Sequence, residues 1–159
     1  MIFVTLGSQK FQFDRLLKEI DILIEDGNIT EEVFAQVGYS YYKPQNYNYK
    51  EFLDRDEFRN MMDKCDKVIT HGGTGAIIDA VKKNKKIIGV PRISKYKEHV
   101  DDHQIQIVTQ FESMGFIFGV YDIEMLSVAL NKIKHFKTKP YVSNTNEIIK
   151  NIDKFLNEI

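Results

Sequence analysis

The sequence predicts an α/β domain: a Rossmann-like, three-layer fold with a mostly parallel sheet. Three observations predict it. Short β-rich apolar runs alternate with helical runs of about 10–15 residues, the pattern of strand–helix–strand units. One strand-to-helix turn carries three glycines in four positions, Gly72-Gly73-Thr74-Gly75. The chain has 159 residues, 43% hydrophobic and 28% charged, which suits a single domain (1–159) with its own core.

The elements follow in order. Ile2 to Leu6 is a short strand broken by Gly7-Ser8. Phe13, Leu16, Leu17, Ile20, Leu23 and Ile24 recur at helical spacing, so 11–25 reads as an amphipathic helix, closed at Asp26-Gly27-Asn28. Val33 to Val37 is a second strand, ended by Gly38. The segment 39–49 reads as a loop holding five of the eight tyrosines; its rings either cover the core or form an interface, where Tyr is enriched. Residues 55–65 are helical, with Phe58, Met61 and Met62 inward and Cys65 beside them as a small core residue. Lys67 to Thr70 is a buried strand, followed by the glycine turn and a helix from about Ala76 to Lys83. Lys86 to Val90 is a strand stopped by Pro91. Helix 100–113, strand 116–120 and helix 122–134 follow. After Lys139-Pro140, the segment 141–159 ends in an amphipathic helix with Ile148, Ile149, Ile152, Phe155, Leu156 and Ile159 on one face.

Composition excludes several classes. Lys plus Arg is 22 against 23 for Asp plus Glu, a net charge of −1. That balance argues against a general nucleic-acid binder, which needs a basic surplus, and against a polybasic membrane-surface protein. A single cysteine excludes a disulfide framework and a Cys-based zinc site. The apolar N-terminus is too short for a signal peptide, and no run approaches the ~20 residues that span a bilayer. The expected location is the cytoplasm.

In an open parallel sheet, ligands bind at the C-terminal strand ends. Three loops lie there. After the first strand come Gly7 and Ser8. After the 67–70 strand comes His71-Gly72-Gly73-Thr74-Gly75, where missing Cβ atoms admit a ligand to the backbone and a helix start offers free N–H groups to a phosphate. Thr74 can cap that helix or donate its hydroxyl, and His71 can donate through either ring nitrogen. A tight turn with His71 capped or exposed is the competing reading. No Lys-Ser/Thr pair follows, so this is not a Walker A loop, and Ile78 stands where a dinucleotide fingerprint needs its third glycine. The third loop, Pro91 to Gln104, offers Arg92 to a phosphate and Glu98, Asp102 and Gln104 to sugar or ribose hydroxyls. Its alternative is a solvated loop with Asp101 or Asp102 as a helix cap. Asp54-Arg55-Asp56 has a D-x-D pattern, but it precedes a helix and reads as an N-terminal charge cluster.

Taken together, Val4-Thr5-Leu6-Gly7-Ser8, His71 to Ala76, Val90-Pro91-Arg92 and Glu98 to Gln104 resemble the C-terminal domain of glycosyltransferase family 28. More narrowly, they resemble the single-domain subunits of bacterial capsule and exopolysaccharide synthesis (the PssE type). These are similar to the catalytic subunit of the eukaryotic dolichol-linked N-acetylglucosamine transferase. The resemblance implies the C-terminal half of a GT-B glycosyltransferase with a UDP-sugar donor and no metal. It implies that His71, Gly72, Gly73 and Thr74 hold the diphosphate, with Gly75 in the same turn and Gly7 and Ser8 lining the cleft. Glu98 would lie near the ribose or base, and His103 and Gln104 would contact the hexose. Asp79 stands where many relatives have Glu, which shortens the side chain available for a ribose contact. No catalytic base is assigned; His99 and His103 are the local candidates, because His titrates near neutrality.

A complete enzyme of this type has two nucleotide-fold domains. The resemblance therefore implies a membrane-anchored partner subunit that binds a lipid-linked sugar acceptor. It would hold this chain at the cytoplasmic face of the membrane. The expected function is the donor-binding subunit of an inverting hexosyltransferase. The alternatives are a non-catalytic nucleotide-sugar-binding or regulatory module, and a stand-alone nucleotide-binding enzyme such as a small epimerase or dehydrogenase.

Overall fold

The computed structural model describes residues 1–142, so the helix expected within 141–159 lies essentially outside the described residues. The strands are β1 (Ile2–Thr5), β2 (Val33–Gln36), β3 (Asn48–Lys50), β4 (Lys67–Thr70), β5 (Lys86–Gly89) and β6 (Phe118–Gly119). The helices are α1 (Asp14–Glu25), α2 (Arg55–Lys64), α3 (Thr74–Lys82), α4 (His103–Ser113) and α5 (Leu126–Ile133). All pairings are parallel, in the order β3-β2-β1-β4-β5-β6. The chain steps outward from β1 to β3, then returns to β4 on the other side of β1. The β1 and β4 loops therefore diverge at a switch point. Register levels the two ends there, since Thr5 pairs with both Gln36 and Thr70.

Alternation along the strands builds two cores. Ile2, Val4, Ile69 and Ile88 face α1 and α5, while Phe3, Val68 and Ile87 face α2, α3 and α4. The strands are buried on both faces, which is why they read as continuous apolar runs. Cys65 is 1% exposed in the second core, as its neighbours Met61 and Met62 suggest.

The departures from the sequence reading have local causes. β3 lies partly within the expected loop, because an exposed edge strand, Asn48-Tyr49-Lys50, needs no apolar residue. Helix α1 starts at Asp14, not residue 11. The 39–49 segment is fastened to it by Asp21, which sits on the buried face of α1. Its carboxylate accepts from Tyr42 Oη (2.8 Å), Gln45 N (2.9 Å) and Asn46 N (2.7 Å). Tyr42 and Tyr47 pack on the core, and Tyr41 stays 82% exposed. Residues 123–125 form a 3-10 turn ahead of α5.

Candidate functional site

The loops after β1, β4 and β5 meet above the switch point. Gly72 and Gly7 adopt left-handed backbone angles, φ +87° and +71°, which favour glycine. Gly73 does not, at φ −71°. It is glycine because of His71: a Cβ there would stand 2.4 Å from His71 Nε2, and a Cβ on Gly7 would stand 2.8 Å from Cε1. The imidazole is thus wedged between two Cα atoms at the cleft floor.

His71 is 7% exposed, neither capped from outside nor at the surface. Its Nδ1 lies 3.2 Å from the Thr5 carbonyl, an acceptor only, so Nδ1 carries the proton and Nε2 is a bare lone pair. Burial, together with the nearby Arg92 charge, pushes its pKa down to about 4. The ring is neutral at pH 7 and has one N–H, already used. This corrects the expectation that either nitrogen could donate to a phosphate.

Helix α3 begins at Thr74, not Ala76. Gly73 occupies the cap position and no side chain caps it, so Thr74 does not cap the helix. Thr74 is exposed at the helix start, and no side chain caps the first-turn N–H groups, which remain open to an anion. Gly75 has open space where its Cβ would be.

Two hollows flank this turn. One of about 450 Å3 is lined by Gly7, Ser8, Gln36, Leu53, Arg55 and Phe58, among others, and continues along His71, Gly73 and Gly75. The other, about 250 Å3, is lined by Gln9, His71 to Thr74, His99, His103 and Gln104. The structure thus gathers Gly7, Ser8, His71, Gly72, Gly73, Thr74, Gly75, His103 and Gln104 around one turn. Gln104 is held by its Oε1, which accepts from Arg92 N at 3.0 Å. His99 stacks on Phe11 with centroids 4.4 Å apart, and its Nδ1 lies 3.0 Å from Asp101 Oδ1.

Three expected contact residues are placed elsewhere. Arg92 is fully buried beneath the cleft, where its guanidinium donates to the carbonyls of Leu6 (2.8 Å), Phe11 (3.2 Å) and Gln12 (3.3 Å). It fastens the β1 loop instead of meeting a phosphate. Glu98 is 1% exposed and faces away from the cleft. Its oxygens take Arg15 Nε and Nη2, both at 2.9 Å, and Ile93 N at 3.0 Å, so it braces the β5 loop against α1 instead of lying near a ribose. Asp102 accepts from Ser94 N at 2.8 Å within its own loop. Asp101, not Asp102, accepts from the first amide of α4, at 3.0 Å. Asp54 caps α2 in a reciprocal capping box with Glu57, as a charge cluster at a helix start should.

Sequence reasoning missed Gln36, Leu53, Arg55 and Phe58 as cleft-lining residues. Gln36 ends β2, Leu53 precedes α2, and Arg55 and Phe58 lie at the start of α2, where the D-x-D pattern around Arg55 gave no hint of the cleft. The signal available was topological: β2 neighbours β1, so its C-terminal end must border the same edge.

This fold and edge define a nucleotide-fold domain whose switch point offers glycine backbone, a helix N-terminus and a hydroxyl to an anionic ligand. The chain belongs to glycosyltransferase family 28: the family's C-terminal domain matches residues 1–159. It is 33% identical over 107 residues to the UDP-N-acetylglucosamine transferase subunit ALG13 of Candida glabrata, covering 66% of this chain and 52% of that protein. The chain therefore spans about half the length of that relative. The solution structure of an ALG13 superposes with a TM-score of 0.59 at 20% identity, covering 95% of this chain and 93% of that one. The calicheamicin glycosyltransferase CalG4 superposes at 0.62 and 14% identity over 83% of this chain and 33% of its own. At these identities the superpositions bear on the fold, which is that of GT-B glycosyltransferases.

Proposed function

We propose that this chain is the donor-binding subunit of an inverting glycosyltransferase that moves a hexose from a UDP-sugar to a lipid-linked acceptor. The observation that carries the reading is the turn His71 to Thr74. It opens the uncapped start of a nine-residue helix onto the switch point, with glycine on both sides of the loop. A diphosphate there would take the first-turn N–H groups and the Thr74 hydroxyl. Arg92 would act through space: its enclosed charge lies beneath the same loop and favours negative charge above it. Those fixed dipoles and that charge would stabilise the departing UDP without metal. The 450 Å3 hollow, with apolar Leu53 and Phe58 and the Gln36 amide, suits the nucleoside, and Gln104 and His103 border the sugar side. N-acetylglucosamine is the sugar named for the Candida glabrata relative, and it is the first donor to test.

His71 is neutral and wedged, which leaves His99 and His103 at the rim as the local groups able to take a proton. A membrane-anchored partner that holds the acceptor would supply the base as well. The word subunit in the relative's name supports a partner. Among the described residues no helix is long and apolar enough to cross a membrane. The capsule or exopolysaccharide setting stays with the sequence resemblance alone. The test is co-expression with a candidate partner, radiolabelled UDP-sugars and acceptor lipid. Transfer that disappears with Thr74→Val or Gln104→Ala supports catalysis. UDP-sugar binding with no transfer across a donor panel would favour a non-catalytic binding module. No UDP binding, even with the partner present, would sink both readings.

A further inference from the structure

The net charge of −1 conceals a separation of charge. At the N-terminal ends of β4 and β5, the edge opposite the cleft, lies a hollow of about 440 Å3. It is lined by Lys67, Lys83, Lys85, Lys86 and Lys134, with Asp66 as its acidic residue. Two of the ammonium groups are neutralised, Lys67 by Glu31 and Lys83 by Asp63. Asp66 is occupied by the Met1 amino group at 2.9 Å. The other three lysines are held by uncharged acceptors. Lys85 Nζ donates to the carbonyls of Cys65 (2.7 Å) and Asp63 (3.0 Å), Lys86 Nζ to the carbonyl of Lys134, and Lys134 Nζ to Asn131 Oδ1 at 3.4 Å. Among the described residues none of these three pairs with a carboxylate.

A carbonyl fixes an ammonium's position without cancelling its charge. Three such cations around one concavity repel each other and raise the local potential, a cost that a bound anion would remove. The turn that carries them is itself fixed. Asn84 takes a left-handed conformation at φ +53°, with Asn84 N donating to Val81 O at 3.0 Å and Lys85 N to Ala80 O at 3.0 Å. That is a Schellman closure of α3, so Lys83, Lys85 and Lys86 are displayed from a rigid helix end. Lysines act as rotatable point charges, which suits a compact, multiply charged oxyanion better than a planar, singly charged carboxylate.

We propose that this hollow binds a phosphate-bearing anion through Lys85, Lys86 and Lys134, at a site separate from the donor cleft. The proposal does not rest on the glycosyltransferase reading. The ligand's source is either a free phosphate compound or a phospholipid headgroup, and the test has an arm for each.

Amide spectra of the full chain would be recorded at low ionic strength without nucleotide, the residues that shift telling this hollow from the donor edge. Sodium diphosphate is then titrated, with sodium chloride at equal ionic strength as the control. The expected result is saturable shifts at Lys83 to Lys86 and Lys134, weakened by about 10-fold or more in the triple variant Lys85→Gln/Lys86→Gln/Lys134→Gln. In the second arm, phosphatidylglycerol vesicles are compared with phosphatidylcholine vesicles by flotation. Lysine-dependent capture by the anionic vesicles assigns the headgroup as the source; diphosphate binding without such capture assigns a free anion. Shifts no larger than those of sodium chloride, or unchanged in the variant, with no lysine-dependent vesicle capture, overturn the proposal. If the triple variant fails to fold, Lys134→Glu, at an exposed position, carries the same test.

Discussion

Gly73→Ala tests whether the cleft floor is built around His71. The backbone at Gly73, φ −71° and ψ 123°, is open to any residue, so conformational strain contributes nothing. The new Cβ would stand 2.4 Å from His71 Nε2 and 2.6 Å from Cε1. The ring has no retreat: Nδ1 is held by the Thr5 carbonyl at 3.2 Å, and the Gly7 Cα closes the other side. Overpacking of this kind costs about 1–3 kcal/mol. His71→Ala alone also destabilises, by about 1–3 kcal/mol, because it leaves the buried Thr5 carbonyl without its donor. In the double variant the methyl enters the space the ring vacates. Gly73→Ala then costs almost nothing, and the pair shows a favourable coupling of about 1–3 kcal/mol. Urea unfolding of the four proteins, with equal m-values, measures the cycle. Additivity to within about 0.5 kcal/mol would refute the steric account of Gly73.

Gly75→Ala, with open space at its Cβ and a helical backbone, should gain about 0.5–1 kcal/mol of stability. It should nonetheless weaken UDP binding by calorimetry, because Gly75 lines the hollow proposed for the nucleoside. Thr74→Val should leave the melting temperature within a degree or two and reduce UDP affinity about 10-fold, the worth of one charge-assisted hydrogen bond. Glu98→Ala should do the reverse: about 1–3 kcal/mol of lost stability, from unpairing half-buried Arg15 and removing the carboxylate charge that favours buried Arg92, read as a lower urea midpoint. Because the folded pKa of His71 is depressed to about 4, its contribution is complete above the unfolded value of about 6.5. It is lost as pH falls from there toward 4. Stability measured between pH 6.5 and 4.5 should therefore drop in the native protein and stay flatter in His71→Ala.

Much of the fold was legible in the sequence because strands buried on both faces leave unbroken apolar runs and α1 leaves a clear helical period. The polar edge strand β3 leaves neither signal. The glycine turn was legible as a strand-to-helix junction, but not the reasons for its glycines, the positive φ of Gly72 and the His71 ring against Gly73. What local sequence does not show is which way a polar residue faces. Arg92 and Glu98 stand in the loop where ligand contacts are expected, and only the packing of α1 against the β5 loop turns both inward. His71 is a similar case: its neighbours in sequence suggest a phosphate donor, and its neighbour across the sheet, Thr5, takes the proton. Asp21 escaped notice because a carboxylate on a helix's buried face conflicts with the apolar period, and its partners are 21 to 25 residues away.

On the proposed donor-binding reading, the inward-turned ions explain how a loop made of glycines would serve as a binding surface. Flexible backbone would spend much of its binding energy on being ordered. Here the ordering is done by the protein: Arg92 gathers three carbonyls of the β1 loop, its own amide fixes Gln104, and Glu98 locks the β5 loop onto Arg15. A lysine could not replace Arg92, because it lacks the planar fork that reaches Leu6, Phe11 and Gln12 at once. Arg92→Lys should therefore lose UDP affinity as well as stability, although the charge is kept and residue 92 never reaches the ligand. If calorimetry finds UDP affinity unchanged in a folded Arg92→Lys protein, the loop needs no such fastening, and the electrostatic share of Arg92 is the whole of its effect.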